Sequence, residues 1–203
     1  MPAEAAYDCA DSLYSIVLAA GASTRFGSPK QLARIAGRTM LRSTIECANR
    51  ITEDRTIVVL GANAIDLGTS VGDFTGTLAL NGGWSEGIAS SLRLGLELVP
   101  VTCMAVLVLL ADQPAVTSKD LEALVSAWSG QPQCMAAAFY NEVVGAPAIL
   151  PRRSFSELAN LRGDVGARQL LQREANRLLR VPMPNAGIDV DKPEDLLKLG
   201  QVG

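Results

Sequence analysis

Short apolar runs alternate with segments whose apolar residues recur every three or four positions, and this alternation continues along most of the chain. The runs have the length of strands, and the recurring segments have the periodicity of helices. One run, MAVLVLL, is apolar at every position, which is typical of a strand buried on both faces of a sheet. The pattern predicts strands over 13–19, 56–60, 77–80, 104–110, 135–140, 146–150 and 179–182. It predicts helices over 40–50, 87–98, 118–128, 153–158, 166–175 and 193–199.

Strands that alternate with helices indicate a mostly parallel sheet, because a parallel connection needs a crossover. We therefore predict an α/β fold, a Rossmann-like three-layer sandwich with helices on both faces of the sheet. Thr117 or Ser118 can cap the helix over 118–128, since the acidic Asp120 follows in its first turn. The 203 residues suffice for one domain, which we assign to 13–203 after a loose acidic tail at 1–12.

Composition and charge narrow the class of protein. Hydrophobic residues make up 48% of the chain and charged residues 19%, which is typical of a soluble globular protein. The formal net charge of −3 argues against nucleic acid or an anionic membrane as a partner. The longest apolar run, 103–111, is too short to span a bilayer. The acidic N-terminus has no apolar run, so it does not resemble a secretory signal.

Cysteine and histidine usage excludes several kinds of site. The cysteines at 9, 47, 103 and 134 show no CxxC spacing, which favours reduced thiols in the cytoplasm over a disulfide framework or a zinc site. The chain contains no histidine. This absence excludes histidine-based triads, histidine-ligated metals and imidazole general bases.

The segment LAAGASTRFGSPKQL follows the first predicted strand, and ligands of open α/β sheets bind beyond the carboxyl ends of strands. Gly21 and Gly27 permit unusual backbone angles, and free N–H groups in such a turn form an anion-binding concavity. Arg25 and Lys30 add the charges that suit phosphate oxygens. The spacing matches neither the Walker GxxxxGK[ST] pattern nor the dinucleotide GxGxxG pattern. The alternative interpretation is a glycine-rich surface turn with two solvated cations.

Carboxylates follow the central and last predicted strands. Asp112 directly follows the central strand, where it could bind Mg²⁺ or merely cap the turn before Pro114. Asp189 and Asp191 can share one face of an extended segment and reach a metal together. The segment from Asp191 onward also reads as a helix start, so we assign Asp191 a partly structural role and favour Asp189 as the ligand.

Six motifs, in order, carry a family resemblance that runs from about residue 13 to 200. They are LAAGASTRFGSPKQL, NGGWSEG followed by SSL, LADQP, GAP, GDVGAR and DVDKPED. This series resembles the molybdenum cofactor cytidylyl- and guanylyltransferases, the MobA-like nucleotidyltransferases. Lys192 departs from the family pattern, which has threonine there, and Ala146 stands where relatives often carry a polar residue. The tryptophans we interpret as core or rim packing, with Trp84 the exception to watch.

The resemblance implies a fold of the nucleotide-diphospho-sugar transferase type and a Mg²⁺-dependent nucleotidyl transfer that releases pyrophosphate. Arg25, Lys30 and Asp112 would be the catalytic residues, and Asp112 and Asp189 the metal ligands. The nucleotide would contact Leu18, Ala19, Ala20, Gly21, Ser23, Arg25, Lys30, Asn81 and Ser91. The acceptor would contact Gly145, Pro147, Asp164 and Arg168.

The resemblance also suggests the substrates. Cytidylyl relatives read LAAG where guanylyl relatives read LAGG, and the methyl of Ala20 would crowd a purine, so CTP is favoured over GTP. The terminal phosphate of molybdopterin is the favoured acceptor, with a molybdenum hydroxylase as a possible partner protein. The alternatives are a guanylyltransferase, transfer to another small phosphorylated molecule, and a non-catalytic nucleotide- or cofactor-binding accessory protein. An NAD-dependent oxidoreductase on a similar sheet is disfavoured, because GxGxxG is missing.

Overall fold

The structure, a computed structural model, describes residues 12–199 and is built on one seven-stranded sheet with the strand order β5-β4-β1-β6-β8-β7-β9. Apart from Ser12, the predicted N-terminal tail lies outside the described residues. The strands of this sheet are β1 (Leu13–Ala19), β4 (Thr56–Leu60), β5 (Thr77–Leu80), β6 (Ala105–Leu110), β7 (Ala136–Tyr140), β8 (Val143–Pro151) and β9 (Leu179–Pro182). A separate two-stranded ribbon joins β2 (Arg34–Ile35) to β3 (Arg38–Thr39).

The sheet is mostly parallel, which confirms the predicted α/β class. β1 runs parallel to both β4 and β6, and Leu18 pairs with Val59 on one side and with Leu110 on the other. These three strands therefore end at one edge of the sheet. β8 is the exception, because it runs antiparallel to both β6 and β7.

Helices cover both faces, as the three-layer prediction requires. They are α1 (Met40–Thr52), α2 (Ala64–Ser70), α3 (Ile88–Leu98), α4 (Ser118–Ser129), α5 (Phe155–Leu158), α6 (Arg168–Arg173) and α7 (Leu196–Leu199). One core packs α1, α2 and α4 against the sheet around Leu41, Leu67 and Trp128. The opposite core packs α3, α5 and α6 around Leu92 and Leu170.

The hydrophobic pattern located all seven strands of the main sheet and missed two small elements. Four strands have the predicted bounds, and β8 begins three residues earlier than predicted because an antiparallel turn from β7 extends it. The missed elements are α2, which carries helix-disfavouring Gly68 and Thr69, and the β2–β3 ribbon, whose strands are too short for a periodic signal. Thr117 rather than Ser118 caps α4, because its side chain accepts the Asp120 N–H in a reciprocal capping box.

The structure of residues 12–199 also bears on the predictions about the cysteines and about membrane-spanning segments. Cys47, Cys103 and Cys134 are free thiols, as predicted, while Cys9 lies outside the described residues. Burial raises the pKa of the Cys103 thiol to about 11. No helix within residues 12–199 is long and apolar enough to cross a bilayer.

Candidate functional site

A cavity of about 530 Å³ opens at the edge of the sheet where β1 and β6 end. This is the location expected for a ligand in an open α/β sheet. The loop after β1 forms one wall and the start of α3 forms another. The side chains that bring charge to the cavity are Arg25, Lys30, Asp112, Asp164 and Asp191.

The loop after β1 is shaped to receive an anion. The carbonyl of Ser23 accepts the N–H groups of Phe26 and Gly27 at 2.9 and 3.3 Å, and Gly27 has the left-handed φ of +80° that such a tight turn favours. Gly21 has no positive φ, but open space surrounds the place where a side chain would stand. Within the described chain, the backbone N–H groups of residues 21–24 have no hydrogen-bond acceptor, so they are free to bind phosphate oxygens.

Lys30 lies between two carboxylates at the bottom of the cavity. Its Nζ atom is 2.9 Å from Asp112 Oδ2 and 3.0 Å from Asp191 Oδ1, and its side chain is only 13% exposed. Burial disfavours the ammonium, but the charges and hydrogen bonds of the two carboxylates outweigh it, and the pKa of Lys30 is raised above its ordinary value. Lys30 is therefore a fixed positive charge at neutral pH.

Asp191 joins the C-terminal segment to the loop. Its Oδ2 atom lies 2.9 Å from Arg25 and its Oδ1 atom accepts from Lys30, and the hydrogen bond from Lys30 lowers the pKa of Asp191. The helix-start role predicted for Asp191 belongs instead to Asp195, whose carboxylate accepts the backbone N–H groups of Asp191 and Lys192. The side chain of Asp191 is thereby left to the site.

The carboxylates fit a metal that also takes ligands from a substrate. Asp112 Oδ1 is buried and has no hydrogen-bond partner within residues 12–199, which leaves an oxygen ready for a cation. Partial desolvation, followed by the negative charge of Asp112, raises the pKa of Asp189. Among the described residues no group of three or more acidic, cysteine or histidine side chains could hold a metal ion by itself. A hard cation here would therefore complete its shell with phosphate and water oxygens.

Asn81 supports the wall of the cavity rather than lining it. Its amide donates to the hydroxyls of Ser90 and Ser91 at 2.8 and 2.9 Å, and its carbonyl oxygen accepts the N–H of Gly83. Ser91 itself lines the cavity, as does Trp84. Both residues of the predicted pair are buried, but Ser91 lines the cavity whereas Asn81 holds the turn before α3.

Gly87 brings the segment around Asp164 to the cavity. It has a φ of +119°, and a side chain there would lie within 2.4 Å of the Gly163 backbone and 2.6 Å of Asp164. This close packing requires glycine, and the N–H of Ala89 further donates to the Gly163 carbonyl at 3.1 Å. Asp164, predicted to contact the acceptor, consequently lies on the cavity wall.

The other predicted acceptor residues lie on the β7–β8 side. Tyr140 packs over Gly145, where a side chain would come within 2.6 Å of the tyrosine hydroxyl. Burial, followed by the charge of Asp189, raises the pKa of Tyr140, while Arg168 at the start of α6 acts in the opposite direction. Pro147 borders a much smaller cavity on the α1 face of the sheet. Gly145, Pro147 and Arg168 therefore lie outside the lining of the main cavity, in contrast to Asp164.

The structure adds residues that the sequence did not single out. Gln31 is buried beneath the loop, and Tyr140 stands beside Gly145. Gln31 directly follows Lys30, which was its only sequence signal, whereas nothing in the apolar run before Tyr140 marks that residue. Trp84, noted as an exception, lines the cavity.

Comparison with known proteins assigns the family. A family described as the MobA-like NTP transferase domain matches residues 15–178. The chain belongs to this family. It is 30% identical over 196 residues to nicotine blue oxidoreductase of Paenarthrobacter nicotinovorans, covering 91% of this chain and 94% of that protein.

Solved structures of similar proteins have the same fold. Rv0371c from Mycobacterium tuberculosis H37Rv superposes with a TM-score of 0.81 at 28% identity, covering 95% of this chain and 99% of that one. The structure of Rv0371c in complex with manganese gives a TM-score of 0.78 at 26% identity, covering 94% and 99% of the two chains. The resemblance read from the motifs is thus confirmed as family membership.

Proposed function

We propose that the protein transfers a cytidylyl group from CTP to the terminal phosphate of molybdopterin and releases pyrophosphate. The observation that carries the proposal is Lys30, held at 2.9 and 3.0 Å between Asp112 and Asp191 beside a loop of free N–H groups. A cation, carboxylates and free backbone donors around one cavity suit a nucleoside triphosphate with its metal.

The triphosphate would take over the interactions of the two cations. Arg25 is 70% exposed on its side chain and pairs with Asp191 across an open surface, where such pairs contribute little to stability. Arg25 can therefore turn to the β and γ phosphates. Lys30, which lines the cavity, would share its charge between these phosphates and its carboxylates, and both cations would stabilise the leaving pyrophosphate. The N–H groups of residues 21–24 would receive phosphate oxygens beside them.

Asp112 and Asp189 are the carboxylates that we propose for Mg²⁺, which would supply charge neutralisation across the phosphates. The buried, unpartnered Oδ1 of Asp112 supports this assignment. Asp191 becomes a further candidate once Lys30 and Arg25 turn to phosphate. The manganese complex of Rv0371c, which is 26% identical, supports a divalent cation in this family.

The reaction needs little proton transfer. An oxygen of the acceptor phosphate forms a bond to the α-phosphorus while the bond to the bridging oxygen breaks and pyrophosphate leaves with the electron pair. A phosphate monoester is already anionic at neutral pH, so no general base is required. The chain, which contains no histidine, would act by positioning and electrostatic stabilisation.

Ala20 supports CTP over GTP. It lines the cavity, and a side chain at Gly61 would lie 2.8 Å from the Ala20 methyl and 2.6 Å from the Trp84 Cβ. These residues close one wall tightly, which suits a pyrimidine better than a purine. The guanylyl alternative predicts the opposite preference.

The acceptor would lie on the side of Gly145, Asp164 and Arg168. Arg168 is exposed and can meet a phosphate, which supports a phosphorylated acceptor. The motif resemblance to molybdenum cofactor nucleotidyltransferases supports molybdopterin as this acceptor, and delivery to a molybdenum hydroxylase would follow from such a product. Another small phosphorylated molecule fits the same charges, and an accessory protein that binds nucleotide without turnover would keep the loop but not need Asp112.

Nicotine blue oxidoreductase suggests a second candidate function. Because this relative matches 91% of the chain, oxidoreduction of a small molecule such as nicotine blue is a specific alternative. Asp112, with its unpartnered buried oxygen beside Lys30, favours nucleotidyl transfer, since hydride transfer has no use for this pair.

The test is pyrophosphate release with Mg²⁺ and molybdopterin, comparing CTP, GTP, ATP and UTP. We expect release with CTP at a higher kcat/KM than with GTP. Oxidation or reduction of nicotine blue by the protein, without pyrophosphate release from any nucleotide, would favour the second candidate instead.

A further inference from the structure

Gln31 is a buried polar residue to which the proposed reaction assigns no step. It is 3% exposed and lies in a single helical turn, Lys30–Leu32, directly after Lys30. A polar side chain buried this deeply is retained only when its hydrogen bonds are satisfied.

The side chain of Gln31 holds the loop at three points. Its Nε2 atom donates to the carbonyl of Ala19 at 3.2 Å and to the carbonyl of Gly21 at 2.9 Å. Its Oε1 atom accepts the hydroxyl of Ser23 at 3.0 Å. One amide thus connects the end of β1 to the loop that follows it.

These bonds determine which way the loop's peptide groups face. The C=O and N–H bonds of a trans peptide group point in opposite directions. Because the Gly21 carbonyl faces Gln31, the N–H of Ala22 in the same peptide group faces away from Gln31. Ala22 lines the cavity, and its N–H has no acceptor within residues 12–199. The amide of Gln31 therefore favours the orientation in which this donor is available to an anion.

Ser23 needs this support. Its φ of +56° is left-handed, a conformation that residues with a side chain rarely adopt. Such a conformation persists only where the surroundings fix it. The hydroxyl bond to Gln31 is one restraint, and the bonds from Phe26 and Gly27 to the Ser23 carbonyl are the others.

We propose that Gln31 is a positioning residue that fixes the loop in its anion-binding shape and, through the chain, fixes Lys30 beside Asp112. Gln31 itself would not touch the nucleotide. The effect on substrate affinity rests on the proposed nucleotide binding, whereas the effect on the loop does not.

The experiment compares Gln31→Met with Thr52→Val in the full chain. Met has a similar volume but no amide, so it removes all three bonds. Thr52 is also buried, and its hydroxyl bonds Ser15 at 2.7 Å and Ala48 at 3.3 Å far from the cavity, which makes it a matched control for loss of a buried polar group. Hydrogen exchange of the Phe26 and Gly27 amides, which donate to the Ser23 carbonyl, and CTP binding with Mg²⁺ are measured for each.

We expect Gln31→Met to speed exchange of the Phe26 and Gly27 amides at least tenfold, because their acceptor at Ser23 loses its support. CTP binding should weaken about tenfold or more, since small misplacements of binding groups are costly. Thr52→Val should change neither, even if it lowers the melting temperature. Ser23→Ala, which removes one of the three bonds, should give a smaller rise in exchange.

Unchanged exchange in Gln31→Met would overturn the inference, as would an equal rise in Thr52→Val or a looser loop with unchanged CTP affinity. Absence of CTP binding in the wild-type protein would contradict the proposed function instead. The exchange comparison would still decide whether Gln31 fixes the loop.

Discussion

The two halves of the sheet contribute to the site in different ways. In the parallel half, β1 and β6 end at one edge, and the loop, Lys30 and Asp112 meet there through short ion pairs. In the other half, β8 runs antiparallel, so the start of that strand, with Gly145, lies toward the same edge. Arg168, which begins α6, is exposed and forms no ion pair within residues 12–199.

The difference indicates how proteins of one fold could keep the proposed nucleotide site and vary the proposed acceptor site. The half proposed to bind the nucleotide is organised by buried bonds and paired charges that exist before a ligand arrives. The half proposed to bind the acceptor offers an exposed arginine and a tyrosine over a glycine, which can be replaced without disturbing the core. We therefore expect substitutions in the first half to affect every reaction, and substitutions in the second to affect only the acceptor.

The largest effect is expected for Asp112→Asn in the parallel half. The substitution replaces the carboxylate that carries the buried, unpartnered oxygen and removes its charge beside Lys30. We therefore expect kcat/KM for pyrophosphate release to fall about 100-fold or more. Asp66→Asn, an exposed carboxylate on α2, is the control and should leave the rate unchanged. A fall below threefold for Asp112→Asn would count against the account.

Lys30→Met should produce two effects of opposite sign. CTP binding should weaken about tenfold or more, because a charge-assisted contact to phosphate is lost. Manganese binding without nucleotide, followed by electron paramagnetic resonance, should tighten, because Asp112 and Asp191 no longer have a cation between them. The exposed Lys119→Met is the control. Weaker manganese binding in Lys30→Met would show that Lys30 does not compete with the metal.

Arg168→Ala should weaken acceptor binding without weakening nucleotide binding. We expect KM for the acceptor to rise several-fold, up to about tenfold, with Kd for CTP unchanged, since an exposed arginine contributes a modest contact. Steady-state kinetics at saturating CTP measures the first quantity and calorimetry the second. Arg177→Ala, exposed beyond α6, should change neither. An equal loss of CTP affinity would show that Arg168 also contributes to nucleotide binding, which would contradict the division into two halves.

Asp191→Asn should have the smallest of these effects when stability is measured without nucleotide or metal. Lys30 lowers the pKa of Asp191 below its ordinary 3.8, so its ionised form stabilises the fold above pH 3.8, and this contribution is lost as pH falls through the lowered value. Because its side chain is 39% exposed, we expect a loss below about 1 kcal/mol at neutral pH. Thermal unfolding at several pH values measures it. A difference from wild type that grows toward acid pH would contradict the assigned sign.

Much of the fold could be predicted, because strands that are buried on both faces, such as β6, appear in the sequence as unbroken apolar runs. The charges of the candidate site could also be predicted, since Arg25 and Lys30 lie in the loop after the first predicted strand and Asp112 follows the central one. The α2 helix and the β2–β3 ribbon were not, because their short segments carry too few residues to show a period.

The arrangement within the site was harder to predict. Two aspartates one residue apart, Asp189 and Asp191, look equivalent in sequence, and only the three-dimensional fold shows that Asp191 contacts Lys30 and Arg25. Gln31 reads as an ordinary residue in a polar loop, yet tertiary packing buries it. Contacts across distant parts of the chain decided both outcomes.

The most direct test of the central claim follows the α-phosphorus of CTP. The protein, Mg²⁺ and molybdopterin are incubated with CTP labelled at the α-phosphate, and the label is located together with the released pyrophosphate. We expect label in the acceptor product in equal amount to pyrophosphate, and neither product with Asp112→Asn. Label that stays in CTP or appears only in free CMP, with the protein folded and nucleotide bound, would contradict nucleotidyl transfer to this acceptor.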